Sequence, residues 1–134
     1  MKMEAGFSLI ELVVVIAIIS ILASLSIPIY IKYQNKAKVT SYALPVVKAC
    51  AYDAAGACQE LNLNATTPID ISTLKNCQNT TVPNGNLQIN ISGSVNCDSN
   101  GYVSNGTITG KLNSITDYTA KCYLNNKGVL CTVE

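Results

Sequence analysis

The 134 residues suit one modest domain plus an appendage, and a formal net charge of +1 gives no strong electrostatic bias. Histidine and tryptophan are both absent, which excludes histidine-based catalysis and histidine metal ligation. No basic stripe with interleaved aromatics occurs, so nucleic-acid binding is not expected.

Hydrophobic residues make up 49% of the chain but crowd into its first third; the rest is rich in Asn, Ser, Thr and Gly. The chain opens MKMEAG and continues FSLIE. From Leu12 to Ile31 runs LVVVIAIISILASLSIPIYI, 20 residues without a charge. A helix of that length spans about 30 Å, the thickness of the hydrocarbon core of a bilayer. Pro28 predicts a kink, because it removes a donor and crowds the preceding turn. Ser20, Ser24 and Ser26 can return hydrogen bonds to local carbonyls.

Glu11 sits at the edge of that apolar run. A cleaved secretory signal peptide accounts for Lys2, the apolar core and Ser24-Leu25-Ser26, but the apolar run and its helical period continue past that site. A plain signal anchor gives Glu11 no task, and a place at the headgroup boundary makes the acid cheap. Pulled into hydrocarbon, a carboxylate costs roughly 2.5–3.5 kcal/mol and calls for a partner. A cut after Gly6 would create an amine on Phe7, the nearest candidate cation, within one chain or between staggered neighbours.

The next segment keeps a helical period: Val39, Ala43, Val46 or Val47, Cys50 and Ala54 recur at three- and four-residue steps. This predicts an amphipathic continuation of the first helix, with a second bend at Pro45 and a stop at Gly56. Residues 59–86 read as loop. Leu87, Ile89 and Ile91 alternate with polar residues as a half-buried strand does, and Ser99-Asn100-Gly101 is a turn. Ile108, Gly110 and Leu112 suggest a second strand. Residues 117–124 and 129–133 flank Asn125-Asn126-Lys127-Gly128, a strong hairpin signal. The predicted fold class is α+β: a long N-terminal helix, transmembrane in its first half, with its second half packed on a roughly four-stranded antiparallel sheet.

All six cysteines lie downstream of the apolar run, which predicts disulfides in an oxidising compartment. The absence of any Cys-x-x-Cys pair makes zinc the minor reading. The hairpin places Cys122 opposite Cys131, at a separation a disulfide can bridge. Cys50 and Cys58 could pair only if the helix ends at Gly56 and the chain turns back, leaving Cys77 for Cys97. No Ser-His-Asp, phosphate-loop or paired-carboxylate constellation stands out, so no enzymatic activity and no cofactor are expected. The sequons at Asn64, Asn79, Asn90 and Asn105 arise easily by composition in so Asn- and Thr-rich a chain.

Gly6-Phe7-Ser8-Leu9-Ile10-Glu11, followed by the uncharged span, resembles the N-terminus of type IV pilins and their pseudopilin relatives over roughly residues 1–35. The resemblance implies a leader at 1–6, a membrane and assembly helix at 7–31 and a periplasmic or extracellular globular domain at 32–134, in the family's lollipop fold. It implies cleavage between Gly6 and Phe7 by a prepilin peptidase and N-methylation of Phe7. It also implies pairing of Glu11 with a neighbour's N-terminal amine, and a helix that loosens at Pro28. The implied partners are further copies of the chain, the peptidase and methyltransferase, the inner-membrane assembly machinery and the membrane itself. The implied location is the bacterial inner membrane before assembly and an extracellular filament after it. The family's C-terminal disulfide suits Cys122–Cys131, and the tie between helix end and following loop in some members favours Cys50–Cys58. Glu4 in the leader and Ser20, where many members carry glycine, depart from the family's pattern. Asp98 and Asp117 are isolated, unlike the Asp-rich calcium segment of the type II secretion major pseudopilin. The alternatives are a minor pilin or pseudopilin of a secretion or DNA-uptake machine, and a membrane-anchored adhesin that never polymerises.

Overall fold

The computed structural model describes residues 5–61, 64–83 and 85–134. Residues 1–4 of the expected leader, with Lys2 and Glu4, lie outside the described residues. The chain divides into two compact units, one ending at Gln34 and the other beginning at Asn35.

The first unit is helical. Helix α1 (Leu9–Lys38) has no buried residue among those described. Leu, Ile and Val occur on all its sides through Ile31, with no polar face to meet water. A helix apolar all round needs either a protein core or lipid. The helical run that begins at Leu9 is long and apolar enough to cross a membrane. Ser20, Ser24 and Ser26 donate their hydroxyls to the carbonyls of Ile16, Ile21 and Leu22 at 2.7, 2.7 and 2.9 Å. Lipid can offer those hydroxyls no partner, so bonding them to their own helix removes the penalty. Helix α1 continues through Pro28, whose missing N–H leaves the Ser24 carbonyl without its helical donor.

In the second unit the last residues of α1 pass into a π turn, Val39–Ala43, in which the Leu44 N–H donates to the Val39 carbonyl. Pro45 follows at the start of helix α2 (Leu44–Glu60). A wider turn just upstream accommodates its missing donor and its ring, so the sequence-level bend takes the form of a local π turn. Val39, Ala43, Val47, Cys50, Ala51, Ala54 and Cys58 form one buried stripe. Gly56 does not end the helix, which runs on to Glu60. Its helix penalty of about 1 kcal/mol is offset by packing, because Ala54 and Cys58 are fully buried on either side of it.

Among the described residues the sheet is antiparallel throughout and has six strands, in the order β1-β3-β4-β5-β6, with β2 also on β3. The four long strands are β3 (Gln88–Cys97), β4 (Val103–Leu112), β5 (Ala120–Asn125) and β6 (Gly128–Val133). The other two, β1 (Thr67–Ile69) and β2 (Thr80–Thr81), come from the segment that reads as loop in the sequence. Both lie on one edge of β3, β1 against its C-terminal end and β2 against its N-terminal end. Between them the Asn79 side chain accepts the Ile91 N–H at 2.8 Å, covering an edge donor that neither strand reaches.

The inner face of the sheet meets the α2 stripe with Ile89, Val95, Ile108, Leu112, Ala120, Cys122 and Leu124, all buried. Gly110 sets how close the layers come: a Cβ there would run into the Val47 side chain. The outer face is polar, with Ser92 bonded to Thr109 at 2.9 Å and the Asn96 amide donating to Asn105 Oδ1 at 2.7 Å. In the β3–β4 turn, Gly101 adopts φ +84°, and Asp98 Oδ1 accepts the N–H groups of Asn100 and Tyr102, each at 2.9 Å.

Two of the three expected disulfide pairs are corrected. Cys50 bonds Cys77 and Cys58 bonds Cys97, with Cα separations of 4.7 and 5.3 Å, in place of Cys50–Cys58 and Cys77–Cys97. The reason is the length of α2. With the helix unbroken at Gly56, Cys50 and Cys58 stand about 12 Å apart along its axis and cannot meet. Both face the core instead. Cys50 reaches the 3-10 turn Lys75–Cys77, and Cys58 reaches the end of β3. Cys122 bonds Cys131 across the β5–β6 hairpin, where the two are directly opposed with Cα atoms 4.0 Å apart.

On the outer face, Glu134 accepts from Lys121 Nζ and from the Tyr123 hydroxyl, both at 3.0 Å. The hydrogen bond from Lys121, then that from Tyr123, holds the Glu134 carboxyl below its ordinary range. Its contribution to stability is therefore full above the unfolded carboxylate range and is lost as pH falls through the depressed folded value. Glu134→Gln should flatten the acid limb of Tm against pH measured by circular dichroism. An unchanged acid limb would show that this exposed cluster carries no linkage.

Candidate functional site at the N-terminus

Residues 5–8 lie outside the helix and Leu9 is its first residue. Ser8 is the N-cap: its carbonyl accepts from the Leu12 N–H at 3.3 Å. The Ser8 hydroxyl accepts from the Glu11 N–H at 3.3 Å, and Glu11 Oε2 accepts from the Ser8 N–H at 2.9 Å. This reciprocal pair is a capping box. Two donors at the helix start, which lipid could not satisfy, are satisfied by side chains. The negative charge also sits in the first turn, where the helix dipole favours it.

The signal is present in the sequence as Ser8-Leu9-Ile10-Glu11, the Ser-x-x-Glu spacing of a capping box. Glu11 is exposed, and among the described residues its Oε1 has no hydrogen-bond partner. One carboxylate oxygen is thus engaged within the chain and the other is open to a further donor.

Phe7 is 88% exposed. Open space surrounds the position a Cβ would take on Gly6, so no neighbouring atom demands a glycine there. Gly6, Phe7 and Glu11 thus come together within one turn of the helix start, with Ser8 joining them. Pro28 is remote from this group, inside α1. Tyr30, Tyr33, Lys32, Lys36 and Lys38 occupy the C-terminal part of α1, the two tyrosines strongly exposed. Among the described residues no cluster of His, Cys, Asp or Glu could hold a metal ion.

Residues 1–27 match the family described as the prokaryotic N-terminal methylation motif. Two relatives from Pseudomonas aeruginosa, each named "Fimbrial protein", are 52% identical to this chain over 40 residues, 30% of this chain and 26% of theirs. The matched stretch spans about a quarter of those relatives' length. No solved structure matches the chain. The N-terminal segment thus bears the prokaryotic N-terminal methylation motif and is similar to the corresponding stretch of those fimbrial proteins, and it leads into an apolar first helix and then an antiparallel sheet carried on α2.

Proposed function

We propose that the chain is the structural subunit of a type IV pilus filament. The observation that carries this reading is the Gly6-to-Glu11 constellation set directly before the uncharged helical span Leu12–Ile31, which is apolar on every side. Such a helix has two stable surroundings, lipid and the helices of other copies. In this reading a prepilin peptidase cuts the precursor: water adds to the Gly6 carbonyl, the C–N bond breaks, and Phe7 leaves as a free amine. Phe7 is then N-methylated. The subunit waits in the bacterial inner membrane, with residues 32–134 outside the cytoplasm.

The open Oε1 of Glu11 supports its assembly role, since it can accept the charged amine of a neighbouring subunit. Transfer from lipid into the filament replaces acyl-chain contacts with helix packing and supplies the acid with a cation. Pro28, which frees the Ser24 carbonyl, is the place where the packed helix can loosen.

Intact mass spectrometry of the mature chain together with electron microscopy of material sheared from cells tests the proposal. The expected result is loss of residues 1–6, one added methyl group, and long filaments containing the chain. A chain cut elsewhere, or found only in membranes, would refute the major-subunit reading. Presence in trace amounts within filaments of another chain would mark a minor pilin.

A further inference from the structure

We infer that Ser8 is a positioning residue for cleavage: by capping α1 it holds the Gly6–Phe7 bond outside the helix, where a peptidase can reach it. The inference rests on the cut proposed above and adds the device that presents it.

A peptide bond inside a helix is a poor substrate. Its carbonyl oxygen is held by the N–H four residues on, and both faces of the carbonyl carbon are crowded by the turn. Attack by water requires an approach to that carbon and freedom for the oxygen to accept donors from the enzyme. Here the first carbonyl to accept a helical hydrogen bond belongs to Ser8, and Ala5 to Ser8 are not helical. The Gly6 carbonyl therefore lies two residues upstream of the first engaged one.

Nothing downstream opposes extension of the helix through Phe7. Leu9, Ile10 and the residues that follow are helical, and an apolar solvent favours any conformation that bonds the backbone to itself. Two features hold the boundary. One is the capping box, in which the Ser8 hydroxyl and the Glu11 carboxylate take the donors that a further turn would otherwise use. The other is Gly6, a weak helix former with no steric reason to be glycine. Phe7 also stays exposed and accessible to the enzyme.

Cleavage rates of the full-length precursor, in detergent with membranes containing the peptidase, test this. Ser8→Ala should lower kcat/KM about fivefold, the effect of losing an N-cap. Ser8→Thr and Ser8→Asp, which also cap, should be cut at the wild-type rate. Glu11→Gln should also be cut normally, because glutamine at that position still accepts the Ser8 N–H. Carbon chemical shifts at Gly6 and Phe7 of the uncut Ser8→Ala precursor in micelles should move toward helical values. Wild-type cleavage of Ser8→Ala, unmoved shifts, or Thr and Asp variants as slow as Ala would each overturn the inference. Those outcomes leave the cut site itself standing. A mature chain beginning anywhere but Phe7 removes the cut site and the inference together.

Discussion

Glu11→Val is expected to leave the chain inserted in the membrane and to stop filament growth. Replacing the carboxylate by an apolar group removes a cost of roughly 2.5–3.5 kcal/mol in hydrocarbon, so insertion should improve. In the proposed filament the same change takes away the acceptor for a neighbour's amine. If the pair recovers even ~2 kcal/mol per added subunit, its loss lowers the equilibrium for each addition about thirtyfold. Because a filament grows by repeating one step, that factor acts at every subunit. Sheared-filament yield should fall at least tenfold by this reckoning, with the chain retained in the membrane fraction. Filaments at wild-type abundance would sink the charge-pair account. Glu11→Gln sharpens the comparison, because it keeps the capping acceptor and loses the charge. It should be processed and still fail to assemble, which separates the two duties of one side chain.

Loss of the Cys58–Cys97 bond is the other large effect. The bond closes 39 residues, and the chain-entropy relation puts its contribution at about 4 kcal/mol. In a domain of about 100 residues that corresponds to a fall in Tm of roughly 15–30 °C. The domain has little to offset it. Among the described residues its largest fully buried side chains are Ile89, Ile108 and valines, and no aromatic side chain is fully buried. Such a core depends on staples more than a Leu- and Phe-rich one would. Thermal melts of the Cys58→Ser, Cys97→Ser double variant should show the drop. Cys122→Ser, Cys131→Ser, which opens a loop of 9 residues, should cost clearly less. A Tm within a few degrees of wild type for the Cys58, Cys97 variant would place the stability elsewhere.

The sequence made the helices and long strands legible because their periods are clean. Val39, Ala43, Val47, Cys50 and Ala54 fall on one side of a helix, and Asn125–Gly128 is a turn signal with few alternatives. The β1 and β2 strands were not legible. Three and two residues long, they owe their existence to the edge of β3 and not to any pattern of their own. The disulfide pairing turns on one local feature. Gly56 reads as a helix stop, and only the packing of Ala54 and Cys58 against the sheet shows that it is passed over. Once the helix length changes, both remaining pairings change with it. At the N-terminus the Ser-x-x-Glu spacing was in plain view, but the cap depends on where the helix starts, and an uncharged apolar run does not mark its own beginning.

The crossed sulfur bridges give the second unit an uneven response to pulling. Tension drawn along α2 toward the C-terminal strands passes Cys50, arrives at Cys58 and crosses directly into β3 at Cys97. The intervening chain, with its 3-10 turns and β1 and β2, hangs slack in that path, and the Cys50–Cys77 bridge moors it to the helix. A tug that strips every hydrogen bond would still leave α2 and the sheet tethered. What can peel away freely ends at Cys50: the π turn, Pro45, and the noncovalent seats of Val39, Ala43 and Val47.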